Sequence, residues 1–80
     1  MAKLVFLGRL EDLAGAPARD CPLAGPTVLA DLLAKLAPAL AEALGGGKVR
    51  LALNGTIVER AGLVVADGDE LAFLPPVSGG

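Results

Sequence analysis

Apolar and polar positions change period several times along this chain, and each change marks an element. Leu4-Val5-Phe6-Leu7 is apolar on both alternating faces. That is the pattern of a central strand that is either covered on both sides or keeps one side for a partner. Gly8-Arg9 ends it. Leu10 to Ala14 has room for one or two helical turns closed by Gly15, and Ala18 to Leu23 then returns as an antiparallel strand. Pro17 and Pro22 confine that strand to an edge, where a missing amide donor does little harm. Thr27 is the expected N-cap of the main helix: Asp31 falls in its first turn, and Leu29, Leu32, Leu33 and Leu36 repeat at helical spacing. Pro38 inside a continuous helix would remove a hydrogen bond and clash with the preceding turn, costing ~3 kcal/mol. A break near Ala37 follows, with Pro38 opening a second segment that ends at Leu44 before Gly45-Gly46-Gly47.

Val49-Arg50-Leu51-Ala52-Leu53 alternates as a strand does, and Asn54-Gly55 supplies two residues that tolerate the positive φ of a tight hairpin. Thr56-Ile57-Val58 is the return strand, and Leu63-Val64-Val65 reads as an irregular packed segment. Asp67-Gly68 then turns the chain into a last strand, Leu71-Ala72-Phe73-Leu74, which Pro75-Pro76 stops. Strand, strand, helix, strand, short strand, strand, with one main helix laid on one face, is an α+β order and fits the ubiquitin-like β-grasp. Residues 1–74 are expected to form this domain and residues 75–80 an extended tail. Phe6, Leu32, Leu36, Leu51 and Phe73 are its expected core.

One helix covers one face of a sheet. Leu4 and Phe6 point one way while Val5 and Leu7 point the other, and Ala72 and Leu74 likewise oppose Leu71 and Phe73. The second face is therefore apolar and needs a cover, unless its residues are ordinary isolated surface hydrophobics.

Composition narrows the function. Eighty residues make one domain, which at this size buries only about 60% of the surface of its unfolded chain. The chain is 54% hydrophobic with two aromatic residues, Phe6 and Phe73, so the core is aliphatic and the chain globular. Nine acidic and seven basic residues give a net charge of −2 with no basic run, which argues against nucleic acid as a partner. No apolar run approaches the ~20 residues that span a bilayer, and Met1-Ala2-Lys3-Leu4 does not open a signal peptide. A cytoplasmic protein without a membrane partner is expected.

Catalytic equipment is sparse. There is no histidine, so neither a triad nor an imidazole metal ligand is available. Cys21 is the single thiol, has Arg19 nearby but no base that would make it a strong nucleophile, and reads as an ordinary small side chain. Asp67, Asp69 and Glu70 lack calcium-loop spacing and read as a solvated turn. Gly45-Gly46-Gly47 follows a helix and precedes a strand, the reverse of a phosphate-binding loop.

The end of the sequence carries the sharper signal. Pro75-Pro76 lacks amide donors and fixes φ, so the chain leaves the sheet extended. Val77, Ser78, Gly79 and Gly80 follow, and a glycine pair passes where a Cβ would collide. From Pro75 to Gly80 the reach is about 20 Å at roughly 3.3 Å per residue, enough to enter another protein's active site. A frayed end is the plain alternative. The stretch Asp67-Gly68-Asp69-Glu70-Leu71-Ala72-Phe73-Leu74-Pro75-Pro76-Val77-Ser78-Gly79-Gly80 resembles the C-terminus of the small, sulfur-carrying subunits of molybdopterin synthase, the MoaD type of ubiquitin-like protein. Phe6 and the Asn54-Gly55 turn extend the resemblance over nearly the whole chain.

That resemblance implies a carrier without side-chain catalysis of its own. An adenylating activating enzyme uses ATP on the carboxylate of Gly80, with Gly79 giving steric access. A sulfur donor protein then turns the adenylate into a thiocarboxylate, and no cofactor is bound. The tail, Pro75 to Ser78 included, enters the large synthase subunit, where sulfur passes to a pterin precursor in molybdenum cofactor biosynthesis. The assembly is a heterotetramer. The same resemblance places Leu7, Ile57 and Leu74 in the apolar patch offered to the large subunit, with leucines at positions 7 and 74 where phenylalanine is frequent. It also implies that the first and last strands are parallel neighbours. Other readings stay open: a carrier for thiamine, tungsten cofactor or tRNA thiolation, a ubiquitin-like modifier of lysines, or a plain protein-binding module. The double proline favours the molybdopterin carrier over the thiamine carrier.

Overall fold

A computed structural model describes residues 1–76. In chain order it forms β1 (Ala2–Phe6), α1 (Arg9–Ala14), β2 (Ala18–Cys21), β3 (Thr27–Val28), α2 (Leu29–Leu33), α3 (Pro38–Leu44), β4 (Arg50–Leu53), β5 (Thr56–Val58), β6 (Val64–Val65) and β7 (Glu70–Leu74). Five strands make the main sheet in the order β2-β1-β7-β4-β5. β1 and β7 run parallel, with Leu4 opposite Leu71 and Phe6 opposite Phe73, and the other pairings are antiparallel. This is the expected β-grasp, and the two strands furthest apart in sequence meet inside it.

Alternation then decides the core. Leu4, Phe6, Leu71 and Phe73 turn to the helical side and are at most 1% exposed. The Phe6 and Phe73 rings stack with centroids 5.8 Å apart and planes 9° from parallel. Leu32, Leu36, Leu40 and Leu44 close over them, and Leu51 joins from β4. Each such side chain contributes ~1.5–3 kcal/mol on leaving water, and the five expected core residues are all here.

The break at Ala37 and the start of α3 at Pro38 are as the sequence predicts. Three local expectations are corrected. Thr27 does not cap the helix: its Oγ1 donates to the Gly25 carbonyl at 2.9 Å, and Val28 holds the N-cap position with no side-chain bond. Val64–Val65 is a strand, because Thr27–Val28 pairs with it to form a second, two-stranded sheet. β-branched residues favour that extended backbone, but the pairing joins segments distant in sequence. α2 also ends earlier than the leucine spacing suggests. Amides of Lys35 and Leu36 donate to the carbonyls of Leu32 and Leu33, an i to i+3 tightening that leads into the proline break.

The Arg60 guanidinium has a role that its place in the sequence does not suggest. Its Nη2 donates to the carbonyls of Leu44 at 3.1 Å and Val49 at 2.9 Å, and also to that of Gly46. It satisfies the free end of α3 and ties down the glycine loop.

The Asn54-Gly55 turn has the positive φ values predicted for it, 51° and 86°. Asn54 also locks the hairpin to β7: its Nδ2 donates to Asp69 Oδ1 at 3.0 Å, and its Oδ1 accepts from the Glu70 amide at 2.9 Å. That bond from Asn54, with a second from the Ala66 amide, holds the Asp69 carboxyl below its ordinary pKa. A folded-state pKa below the unfolded one gives stability that is present above the ordinary carboxylate value and lost as pH falls through the lower folded value. The melting temperature of the protein should therefore drop below about pH 4, and Asp69→Asn should flatten that drop. An identical acid limb in the variant would assign the loss to other carboxylates.

Candidate functional site

Residues opposite one another in a ladder share a face, so the register draws the uncovered side of the sheet. Ala18 lies opposite Val5, Val5 opposite Ala72, Ala72 opposite Ala52, and Ala52 opposite Ile57. This apolar row crosses all five strands. The next row toward the end of β7 pairs Leu74 with Arg50, and Leu7 follows directly on β1. The row on the other side is charged, with Lys3 opposite both Asp20 and Glu70. The open face is thus apolar near the tail and charged away from it. Three alanines make a low floor, and the larger Val5, Ile57, Leu7 and Leu74 rise around it. Leu7 is 40% and Ile57 52% exposed, whereas Ala52 is only 9% exposed.

The chain leaves this face between fixed walls. The Leu7 amide donates to the Phe73 carbonyl at 3.1 Å, which carries the β1–β7 ladder one bond further. Pro75 and Pro76 then offer no donor to extend the sheet. Gly8 holds φ 55° and ψ −136°, a conformation suited to glycine, and a Cβ there would stand 2.9 Å from Pro75 Cγ. Gly8→Ala should accordingly cost roughly 1–3 kcal/mol and displace the base of the tail. A wild-type melting curve with unchanged partner affinity would show that Pro75 gives way freely.

Pro76 stands between two depressions. One opens toward Ile57 and is lined by Arg50, Val58, Glu59 and Arg60 among others. The second lies on the helical side, between Leu10 and Leu13 of α1, Ala43 of α3 and Val49, with Arg9 and Lys48 at its margin.

Of the residues singled out in the sequence, Leu7, Ile57, Leu74, Pro75 and Pro76 lie on or beside the apolar end of the open face. Val77, Ser78, Gly79 and Gly80 lie outside the described residues. The alanine floor and Gly8 were not singled out by pattern. Alternation turns Ala52 away from Leu51, but its alignment with Ala72 and Ala18 exists only in the register. Cys21 is buried opposite Ala2, at the end of the sheet away from Leu74. Among the described residues no group of three or more Cys, Asp or Glu is placed to hold a metal ion, and no helix is long and apolar enough to cross a membrane.

Comparison with known proteins agrees with this geometry. The chain is 38% identical over 82 residues to the molybdopterin synthase sulfur carrier subunit of Escherichia coli K12, covering 100% of both proteins. The crystal structure of SAMP1 from Haloferax volcanii matches with a TM-score of 0.78 and 28% identity, over 99% of this chain and 98% of that one. A protein–protein complex of subunits 1 and 2 of the molybdopterin-converting factor from Helicobacter pylori includes a chain that matches with a TM-score of 0.67 and 26% identity, over 99% of this chain and 97% of that one. With the ThiS family model matching residues 4–80 as well, the chain belongs to the ThiS family.

Proposed function

We propose that this protein is the sulfur-carrier subunit of a molybdopterin synthase. The observation that carries the reading is the apolar open face beside the exit of Leu74-Pro75-Pro76, in a chain matched over its whole length by a carrier of that name. The family complex of two subunits in Helicobacter pylori supports a large partner subunit. Leu7, Ile57 and Leu74 dock on it, and the segment Pro75 to Ser78 leads Gly79 and Gly80 into its active site. The complete assembly is a heterotetramer.

The chemistry falls on the Gly80 carboxylate. One of its oxygens attacks the α-phosphorus of ATP in the activating enzyme, and pyrophosphate leaves. The terminal sulfur of a persulfide on the donor protein then attacks the acyl carbon and AMP departs; a thiol reductant cleaves the resulting acyl disulfide, ending as a disulfide with the donor's cysteine, and leaves a thiocarboxylate. That sulfur is the nucleophile delivered to the pterin precursor. The folded domain contributes reach and docking, and the partners contribute catalysis. A cytoplasmic location, where ATP is at hand, is part of this reading. A second reading, a ubiquitin-like modifier, is favoured by the likeness to small archaeal modifier protein 1 of Haloferax volcanii, at a TM-score of 0.75 and 26% identity. It would use the same adenylate but hand it to a lysine amine.

The test supplies activating enzyme, ATP and a sulfide source, and follows the intact mass for one exchange of oxygen by sulfur. Addition of the large subunit and precursor should then yield a pterin that fluoresces after oxidation. A carrier charged by these enzymes that gives no pterin, yet forms isopeptides on lysines, would replace this reading with the modifier. Docking has its own check. Leu74→Glu replaces an apolar contact with a carboxylate that a docked partner must strip of water, Arg50 opposite it notwithstanding, and should weaken large-subunit binding by about 2 kcal/mol or more, with folding retained because Leu74 is only partly buried. Unchanged affinity by calorimetry would move the docking surface elsewhere.

A further inference from the structure

We propose that the depression on the helical side of the tail is a second docking surface. Its occupant is a segment of the large subunit carrying an aliphatic or aromatic side chain flanked by carboxylates. The inference rests on the carrier reading above and adds a surface lined by α1 and α3 that adjoins, at Pro76, the depression reaching Ile57.

The floor is apolar: Leu10 and Val49 are buried, Ala43 is half-buried, and Leu13 remains 49% exposed on its wall. The charged side chains that line it are Arg9 and Lys48, both cationic and exposed, and neither forms an ion pair among the described residues. In a chain of net charge −2 this is a local inversion of sign. A partner that covered it without carboxylates would strip water from two cations and give nothing back, so the charge pattern selects an acidic occupant. Position selects which protein brings it. Pro76 lines both this depression and the one that reaches Ile57. A subunit that encloses the tail from Pro76 onward must close around both sides of its base. Contact with the sheet face alone would leave Leu13 in water.

The experiment measures association of the full chain with the large subunit by stopped flow, at low and at raised salt. Wild-type association should slow as salt is added. Arg9→Glu/Lys48→Glu should associate roughly tenfold or more slowly at low salt and lose that salt dependence. Leu13→Ser should raise Kd about tenfold, through faster dissociation. All three positions are exposed, and melting temperatures within error of wild type will establish that the variants fold. Wild-type rates, salt dependence and affinity in these variants, with Leu74→Glu still defective, would overturn the second surface and leave the carrier reading intact. If Leu74→Glu also binds normally, the carrier docking mode fails together with this inference. Variants that alter only self-association of the free protein would assign the depression to a second copy of the chain and overturn the proposal as well.

Discussion

Deleting Gly80 is expected to abolish adenylation and sulfur transfer altogether while leaving the melting temperature and the affinity for the large subunit close to wild type. On the proposed carrier reading the reacting carboxylate ends a tether whose length fits its partners, so a shorter tether would leave the α-phosphate of ATP out of reach. Appending one residue should be equally damaging, because the Gly80 carbonyl then belongs to an amide and the new carboxylate lies one residue too far along. The fold should survive because the core ends at Phe73, and the proposed docking because Leu7, Ile57, Leu74 and the segment Pro75 to Ser78 are all retained. Cys21→Ala is the matched control. Its thiol is buried at the far end of the sheet, so the variant should accept and deliver sulfur normally. Intact mass after incubation with the activating enzyme, ATP and sulfide reads the first step, and pterin fluorescence reads the second. A Gly80 deletion that still forms thiocarboxylate and product, or a folded Cys21 variant that does not, would falsify the tail-borne carrier.

Phe73→Ala is expected to cost ~3–5 kcal/mol and to unfold much of the population. Phe73 is fully buried on the central strand, stacks on Phe6, and lies opposite Leu51 in the neighbouring ladder. These are the two aromatic rings in the chain, so no larger side chain stands by to fill the cavity. A domain of this size has about 5–15 kcal/mol of stability in hand at most. The loss should appear as a lower urea midpoint with an unchanged slope. Large-subunit binding should fall in proportion to the folded fraction and no further, which separates this variant from Leu74→Glu. A midpoint within error of wild type would reverse the assignment of faces on β7.

The contrast between Phe73 and Leu74 shows what was legible in advance. Adjacent residues on a strand point to opposite sides, so the pattern alone gives two unlike faces, and a single helical layer leaves one of them bare. Asn54-Gly55 requires positive φ and therefore a hairpin, and Pro38 requires a break before it; both stand where expected. Local signals failed where a distant segment competed for the same atoms. Thr27 has a capping side chain, but its backbone pairs with Val65. Arg60 has no local motif, yet three carbonyls from the end of α3 and the loop after it converge on it.

By itself the sequence determined most of the elements, the side each residue faces, and the chemical poverty of the folded body, since periodicity, turn chemistry and the absence of histidine are properties of the chain alone. The tertiary structure decided which strands are neighbours. Register across β2, β1, β7, β4 and β5 aligns Ala18, Val5, Ala72, Ala52 and Ile57 into one row, although Val5 and Ala72 lie almost a full chain apart. It also brought Pro75 within reach of Gly8, so that a residue at the start of the chain sets the space through which the end leaves. Such relations depend on long-range pairing, stabilised by burial of a shared core in which Phe6 meets Phe73, and no window of local sequence contains both.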